Sequence, residues 1–311
     1  MLSQPEPEFA YLLGMLVGKG RILRENTGFT QFVIEIPHKS LRINGREASL
    51  YVKASVSDIR EILEPFIGTS MRVHSEKHKT TLSFSKNDSE MLTKEIIKLL
   101  GNMPSYKDMR IPPEVYRYTS DLKKEFLKGL ADVTGHVRGS NAAYGVPSGN
   151  RVYIEIPDNW MLVVDIANLL REVDVPVQDI DWAHPNFRDS NLFKYNAGNK
   201  YFWKKEHQIK IYADEFERIG FRIKHKEERL RELSEQNRSK WAETKHRYET
   251  SIVESHHRYY WETSGPVKQR RNHPMESDES IPEQIRGKHF DSWKMVAEEL
   301  GYKRVERVDG K

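Results

Sequence analysis

The sequence predicts an α+β fold built from two pseudo-symmetric units, each running helix, two strands, helix, two strands, helix. Three observations lead there. A nearly all-apolar helical segment with a glycine at its centre occurs twice, around Gly14 and Gly129, about 115 residues apart. Each is broken by further glycine, at Gly18 and Gly20 in one case and at Gly135 in the other. Each is followed by the tetrapeptide Ile-Glu-Ile-Pro, at Ile34 to Pro37 and at Ile154 to Pro157.

In the first unit, Glu8 to Val17 lacks a polar face and so has to be buried between other elements. Thr30 to Ile36 alternates, with Phe32, Ile34 and Ile36 on one side and Gln31, Val33 and Glu35 on the other, the pattern of a half-buried strand. A second strand is expected at Ser49 to Ala54. A helix from Ser57 follows, with Ile59, Ile62, Leu63 and Phe66 on one face. Strands at Met71 to Ser75 and Lys79 to Phe84 then lead to a helix that starts near Asp88 or Ser89 and stops at Gly101.

Pro104, Pro112 and Pro113 mark Asn102 to Thr119 as a connection, since proline suits neither a helix interior nor a central strand. The pattern then restarts with a helix over Asp121 to Ala131. A strand at Val152 to Ile156, a helix from Asn159 to Val173, a strand at Gln208 to Tyr212 and a helix from Ala213 to Ile219 follow. Lys224 to Trp241 is rich in Lys, Arg and Glu and reads as a long solvated helix or spacer. Ser264 to Ser280 reads as an exposed linker, and Phe290 to Leu300 as a short helix stopped by Gly301. The expected divisions are 1–103 and 104–235 for the two units, 236–280 for the spacer and linker, and 281–311 for a small helical segment.

A glycine inside an apolar helix costs about 1 kcal/mol relative to alanine, so it marks a place where another backbone comes close. With Gly14 and Gly129 in equivalent helices, the economical arrangement packs the two helices against each other at these residues, around a pseudo-twofold axis. That arrangement makes a monomer the expected state.

Leu12-Leu13-Gly14-Met15-Leu16-Val17-Gly18-Lys19-Gly20 and Leu127-Lys128-Gly129-Leu130-Ala131-Asp132-Val133-Thr134-Gly135 resemble the nine-residue motif of the LAGLIDADG homing endonucleases. Their flanks agree, with Glu8 to Tyr11 before the first and Arg110 to Pro113, then Lys124 to Phe126, before the second. Arg218-Ile219-Gly220-Phe221 and the charged run through Leu230 resemble the end of that family's second repeat. The resemblance spans roughly residues 8 to 235. It implies a single-chain, two-repeat fold whose eight strands form a saddle over duplex DNA.

In that family an acidic residue at the eighth motif position binds the divalent metal that supports phosphodiester cleavage. Here those positions hold Lys19 and Thr134. A lysine repels a cation and a threonine offers only a neutral hydroxyl, whereas Mg²⁺ prefers carboxylate oxygens. Asp132, at the sixth motif position, is the fallback acid, although it also suits a role in ending the helix. Loss of both acids implies a scaffold that binds double-stranded DNA without cleaving it, as a transcriptional regulator or as the recognition subunit of a nuclease or restriction system whose catalytic partner is separate. The alternatives are a Mg-dependent endonuclease or nickase that recruits Asp132 and Glu35, and an RNA-binding, maturase-like protein. Lys19 itself has two readings, as a cation favoured at a helix C-terminus and as a phosphate contact.

The polar phase of the strands supplies the expected DNA-facing residues: Gln31, Glu35, Lys53, Arg72, His74, Lys79, Thr81, Arg138, Arg151, Lys204, Lys205 and Lys210. Lys268, Arg270 and Arg271 form a basic arm in the linker.

Composition narrows the rest. The 311 residues contain no cysteine, which excludes disulfide scaffolds and Cys-ligated zinc or iron–sulfur sites. Twelve histidines lack metal-ligand spacing, so no zinc is expected, and no cofactor is expected except Mg²⁺ under the endonuclease alternative. Asn272-His273-Pro274 lacks the surroundings of an HNH nuclease, and there is no phosphate loop, Rossmann glycine pattern or nucleophile elbow. Mean hydropathy is -0.73. Apolar runs fall short of the ~20 residues of a membrane span, so an intracellular, cytoplasmic location is expected. A net charge of +4 does not by itself indicate nucleic acid, which leaves the decision to how the charges are distributed.

Overall fold

The computed structural model describes residues 5–24, 28–38, 48–101, 103–139, 149–157, 159–181 and 206–243. The first unit contains α1 (Pro7–Lys19), β1 (Gly20–Arg24), β2 (Phe29–Pro37), α2 (Ala48–Ile67), β3 (Arg72–Ser75), β4 (Lys79–Asn87) and α3 (Met91–Leu100). The second repeats the order with α4 (Ser120–Thr134), β5 (Gly135–Arg138), β6 (Arg151–Pro157), α5 (Trp160–Glu172), β7 (Asp179–Asp181), β8 (Glu206–Tyr212) and α6 (Ala213–Phe216), after which α7 (Lys224–Glu243) leaves the repeat. Both units are therefore αββαββα, as the sequence predicts.

The two antiparallel sheets have the same topology, β1-β2-β4-β3 and β5-β6-β8-β7. Their registers also match, since Gly20 pairs with Ile34 in one and Gly135 with Ile154 in the other. Phe32, Ile34, Ile36, Leu82 and Phe84 of the first sheet and Val152, Ile154, Ile156, Ile209 and Ile211 of the second turn inward. They join α1, α4 and the outer helices in one continuous core.

One strand was misplaced by the sequence, and β1, β5 and β7 were left unassigned. Ser49 to Ala54 lies in α2, where Val52, Ser55, Ile59, Leu63 and Ile67 recur at three- and four-residue intervals on a buried face. The partner of β2 is instead β1, which starts directly from α1 with Ile22 inward and Leu23 outward. β5 follows α4 in the same way. A five-residue strand fused to a helix end is too short for its alternation to stand out from the apolar helix before it.

The connection between the units is tied down at both ends. Ile22 donates its amide to Pro104 and Tyr106 donates to Gly20, so this segment runs along the free edge of β1. Asn159 caps α5 by accepting from Leu162 at 3.1 Å, while its amide nitrogen donates to the carbonyls of Tyr106 and Met109 at 3.0 and 2.7 Å. Arg110 grips Asp165 through two hydrogen bonds of 2.5 and 2.6 Å.

α7 is the long helix that its composition suggested, but one face of it is covered rather than solvated. Lys226, Leu230, Leu233, Ser234 and Asn237 form a buried stripe at helical spacing, and the helix crosses the division expected at residue 235. Asn237 accepts the Asn150 amide at 2.7 Å and donates to its carbonyl at 2.9 Å, which fastens α7 to the start of β6. The expected linker and C-terminal helix lie outside the described residues. Among the described residues, no helix is long and apolar enough to cross a membrane.

Candidate nucleic-acid interface

α1 and α4 pack face to face at their glycines. A Cβ on Gly14 would overlap the Phe126 carbonyl oxygen and stand 2.9 Å from the Leu130 amide nitrogen. A Cβ on Gly129 would overlap the Tyr11 carbonyl oxygen in the same way. Each helix of this seam runs directly into a sheet, since β1 starts where α1 ends and β5 where α4 ends.

On the first sheet, register puts Arg21, Val33, Ser83 and Arg72 in one outward row, Leu23, Gln31 and Ser85 in a second, and Glu35, Thr81 and His74 in a third, with Lys79 beside them. Gln31, Glu35, Arg72, His74, Lys79 and Thr81 thus share one face, as the alternation requires. Arg21 was missed with its strand. It forms an ion pair with Glu35, and Lys79 approaches the same carboxylate at 3.5 Å. Lys53 does not belong to this face: it is exposed on α2, because the strand to which it was assigned is a helix.

The second sheet places Arg138, Arg151 and Lys210 on its outer face, together with His136, Tyr153, Glu155 and Gln208. This face is more tightly interlocked than the first. His136 stacks on Tyr153 at 5.4 Å, and the Arg138 guanidinium lies 4.2 Å from the same ring. Gln208 donates to Glu155 at 2.9 Å. Arg151 is buried, with its guanidinium donating to Gln178 at 2.5 Å and lying over the Tyr212 ring. Its charge braces the sheet, whereas Arg138 is exposed. Glu155 could have been found from sequence, since it is the acid of the second Ile-Glu-Ile-Pro just as Glu35 is the acid of the first. Lys204, Lys205, Lys268, Arg270 and Arg271 lie outside the described residues.

At the C-terminal ends of α1 and α4, where β1 and β5 begin, stand Lys19 and Thr134. Lys19 is 6% exposed, with Nζ 5.0 Å from the centre of the Tyr106 ring. Thr134 is buried and donates its hydroxyl back to the Leu130 carbonyl at 2.7 Å. Asp132 is fully buried, where it accepts from the Tyr11 hydroxyl at 2.6 Å and from the Arg222 amide at 3.1 Å. Burial pushes its carboxyl up to about 6 against the pull of Lys226 and these hydrogen bonds, and the same burial lowers Lys226 to about 8. Lys226 donates to the carbonyls of Gly135, Asp132 and Ala131 at 2.7, 2.8 and 3.4 Å, closing the end of α4 with a buried cation.

These residues do not fit a divalent metal. One is a cation, one is a hydroxyl already committed to a backbone carbonyl, and the acid is turned into the core, where it joins α4 to α1 and to the start of α7. The fallback role for Asp132 is therefore corrected to that of a structural joint. Among the described residues no cluster of three or more His, Asp or Glu could hold a metal ion.

No family model matches the chain. A probable translation initiation factor IF-2 from Methanocaldococcus jannaschii is 25% identical over 175 residues, which is 54% of this chain. The match spans only 13% of that protein's length. Among solved structures, a variant of I-DmoI in complex with its target DNA is 15% identical with a TM-score of 0.38, over 68% of this chain and 91% of that one. The full-length DUF199/WhiA protein from Thermatoga maritima is 12% identical with a TM-score of 0.38, over 75% and 62% of the two chains. The LAGLIDADG meganuclease I-AabMI bound to uncleaved DNA is 12% identical with a TM-score of 0.38, over 76% and 92%. In its two nine-residue motifs and in the order of its duplicated elements, the chain resembles the LAGLIDADG homing endonucleases.

Proposed function

We propose that the protein binds double-stranded DNA sequence-specifically through the outer faces of its two sheets and does not hydrolyse it by itself. The observation that carries this reading is the pairing of two equivalent sheets about the Gly14–Gly129 seam. Their outward rows hold guanidinium, amide and hydroxyl groups suited to base edges and phosphates, while the helix ends of the two nine-residue motifs hold Lys19 and Thr134 in place of carboxylates. Two-stranded ribbons fit the major groove, and paired sheets supply two such ribbons. The role that follows is that of a regulator, or of a recognition subunit whose partner protein supplies any cleavage.

The test compares duplex binding in EDTA with incubation in Mg²⁺ or Mn²⁺. Equal affinity in both, with the duplex left intact and binding weakened by salt, is expected. Cleavage or nicking by the purified chain would overturn the non-cleaving half of the proposal. Displacement of duplex by structured RNA at lower concentration than by competitor duplex would replace DNA with RNA as the ligand.

A further inference from the structure

Leu23 and Gln31 are register partners on the outer face of the first sheet, and Leu23 is 45% exposed there. Phe29, on the same face, is 42% exposed. Leucine and phenylalanine left in the open beside an amide do nothing for the core, because the inward phase of these strands already fills it. The second sheet has its own version of this pair. Leu23 lies three residues after Gly20, and Arg138 three after Gly135. Gln31 lies three before Ile34, and Arg151 three before Ile154. Arg138 and Arg151 are themselves register partners. One site in the duplicated scaffold therefore carries an apolar and an amide group in the first unit and two guanidinium groups in the second.

Base edges distinguish these chemistries. In the major groove an amide matches the N6 and N7 groups of adenine, and an aliphatic side chain meets the methyl group of thymine, so an adjacent Gln and Leu suit the two bases of one A·T pair. A guanidinium matches O6 and N7 of guanine. Arg138 is exposed with its guanidinium 4.2 Å from the centre of the Tyr153 ring, while Arg151 is buried and held by Gln178 and the carbonyl of Gly149.

Resting on the duplex-binding reading above, we infer that the two half-sites differ in kind: Leu23 with Gln31 selects an A·T pair under the first sheet, and Arg138 selects a G·C pair at the equivalent step under the second. Arg151 is a positioning residue that holds the floor beneath Arg138.

The test is selection of bound duplexes from a randomised library by the full chain, followed by sequencing. Expected is an asymmetric consensus with A·T fixed in one half and G·C at the matching place in the other. The exposed positions allow substitution without unfolding, which circular dichroism and the thermal midpoint check. The double variant Leu23→Arg, Gln31→Arg is expected to convert the A·T position to G·C and leave the other half unchanged. Arg138→Ala is expected to relax the G·C position by about tenfold without altering the A·T half. A palindromic consensus, or a consensus that folded variants do not alter, overturns the inference. Duplex retained in a salt-dependent way with no consensus overturns it too, while leaving the binding activity in place. Failure to retain any duplex at low salt overturns the functional reading itself.

Discussion

Gly14 sits so close to the carbonyl of Phe126 that there is no room for a methyl group between α1 and α4, and Gly129 stands in the same relation to Tyr11. The obstacle in both places is backbone inside a packed helix pair, which cannot rotate away as the end of a side chain could. Gly14→Ala and Gly129→Ala are each expected to cost about 3 kcal/mol or more, well beyond the gain in helix propensity. Gly68 gives the comparison: its φ of 65° strains any other residue, but nothing lies within 4 Å, so Gly68→Ala is expected to cost only about 1 kcal/mol. Urea denaturation of the three variants measures the difference. Similar losses at all three would mean that the seam is looser than its geometry.

Asp132 makes stability depend on pH in a direction opposite to that of an ordinary salt-bridged acid. Its folded-state value, about 6, lies above the usual carboxylate range, so between about 4 and 6 the folded chain keeps a proton that the unfolded chain releases. Stability from this group is full at the acid end of that window and is lost as pH rises through about 6. Lys226, lowered to about 8, releases its proton earlier when folded, so its contribution rises with pH from about 8 towards 10.5. Between the two windows both groups are charged and the buried pair is least favourable. Asp132→Asn keeps an acceptor for Tyr11 and should remove about 3 kcal/mol of the fall between pH 4 and 6. Asp214, also raised to about 6 by burial, acts in the same window, so the quantity to measure is the difference between wild type and variant in denaturation midpoints across pH. An unchanged slope would place the acid-side dependence elsewhere.

Lys226 bonds to three carbonyls, two of them within 2.8 Å, at a helix end where it is buried. Lys226→Met fills similar volume but leaves those acceptors without their donor, and it removes the charge that partly offsets Asp132. A loss on the order of 3 kcal/mol is expected, smaller at pH 5 than at pH 7, because Asp132 is protonated at the lower pH. Thermal midpoints at the two pH values check both parts. Equal losses would indicate that the lysine acts as a cap alone.

The duplication was legible because it is written in patterns that survive divergence: a glycine where two backbones touch, and a tetrapeptide whose alternation fixes one strand's faces. Gln31, Glu35, Arg72, His74, Lys79 and Thr81 fell on one face for that reason. Lys53 failed because Val52, Ala54 and the residues after them satisfy both a period of two and the start of a period of 3.6, and only the length of α2 decides between the two. The burial of Lys226 and Asp132 was not legible locally. It depends on α7 returning to the end of α4, and a run of Lys and Glu residues gives no sign of which face is covered. Arg151 shows the same limit on the sheet, since strand phase gave its side correctly but could not reveal that Gln178 and Tyr212 enclose it.

Arg72 and Arg138 are exposed on the two outer faces, one in each unit, and neither supports the core. With Arg72 on a phosphate and Arg138 on a base, Arg72→Ala and Arg138→Ala should each weaken binding several-fold. Arg72→Ala should also lower the slope of log affinity against log salt by about 0.9, whereas Arg138→Ala should relax specificity and leave the slope nearly unchanged. Lys53→Ala, on the helical side, should change neither quantity. Affinity measured over a salt series decides this, and an effect of Lys53→Ala equal to that of Arg72→Ala would place the duplex on the wrong side of the sheet.

Positions 19 and 134 are the ones at which chemistry most separates this chain from the nucleases it resembles, and they permit a test by gain rather than loss. Lys19 and Thr134 end their helices next to Gly20 and Gly135, and the register partners of those glycines, Ile34 and Ile154, are followed by Glu35 and Glu155. Lys19→Asp with Thr134→Asp would therefore add a carboxylate at each helix end, in the neighbourhood of an existing one, where hard divalent cations find oxygen ligands. The wild-type chain should bind duplex equally with and without Mg²⁺. The double variant, with like charges crowded at the helix ends, should bind duplex weakly in EDTA and recover at least tenfold when Mg²⁺ or Mn²⁺ is added. Each single variant should recover less. Circular dichroism shows whether the variants fold, and affinity against metal concentration gives the recovery. A folded double variant whose duplex binding ignores the metal would mean that these helix ends do not face the phosphates, and the DNA would then have to be placed elsewhere on the sheets.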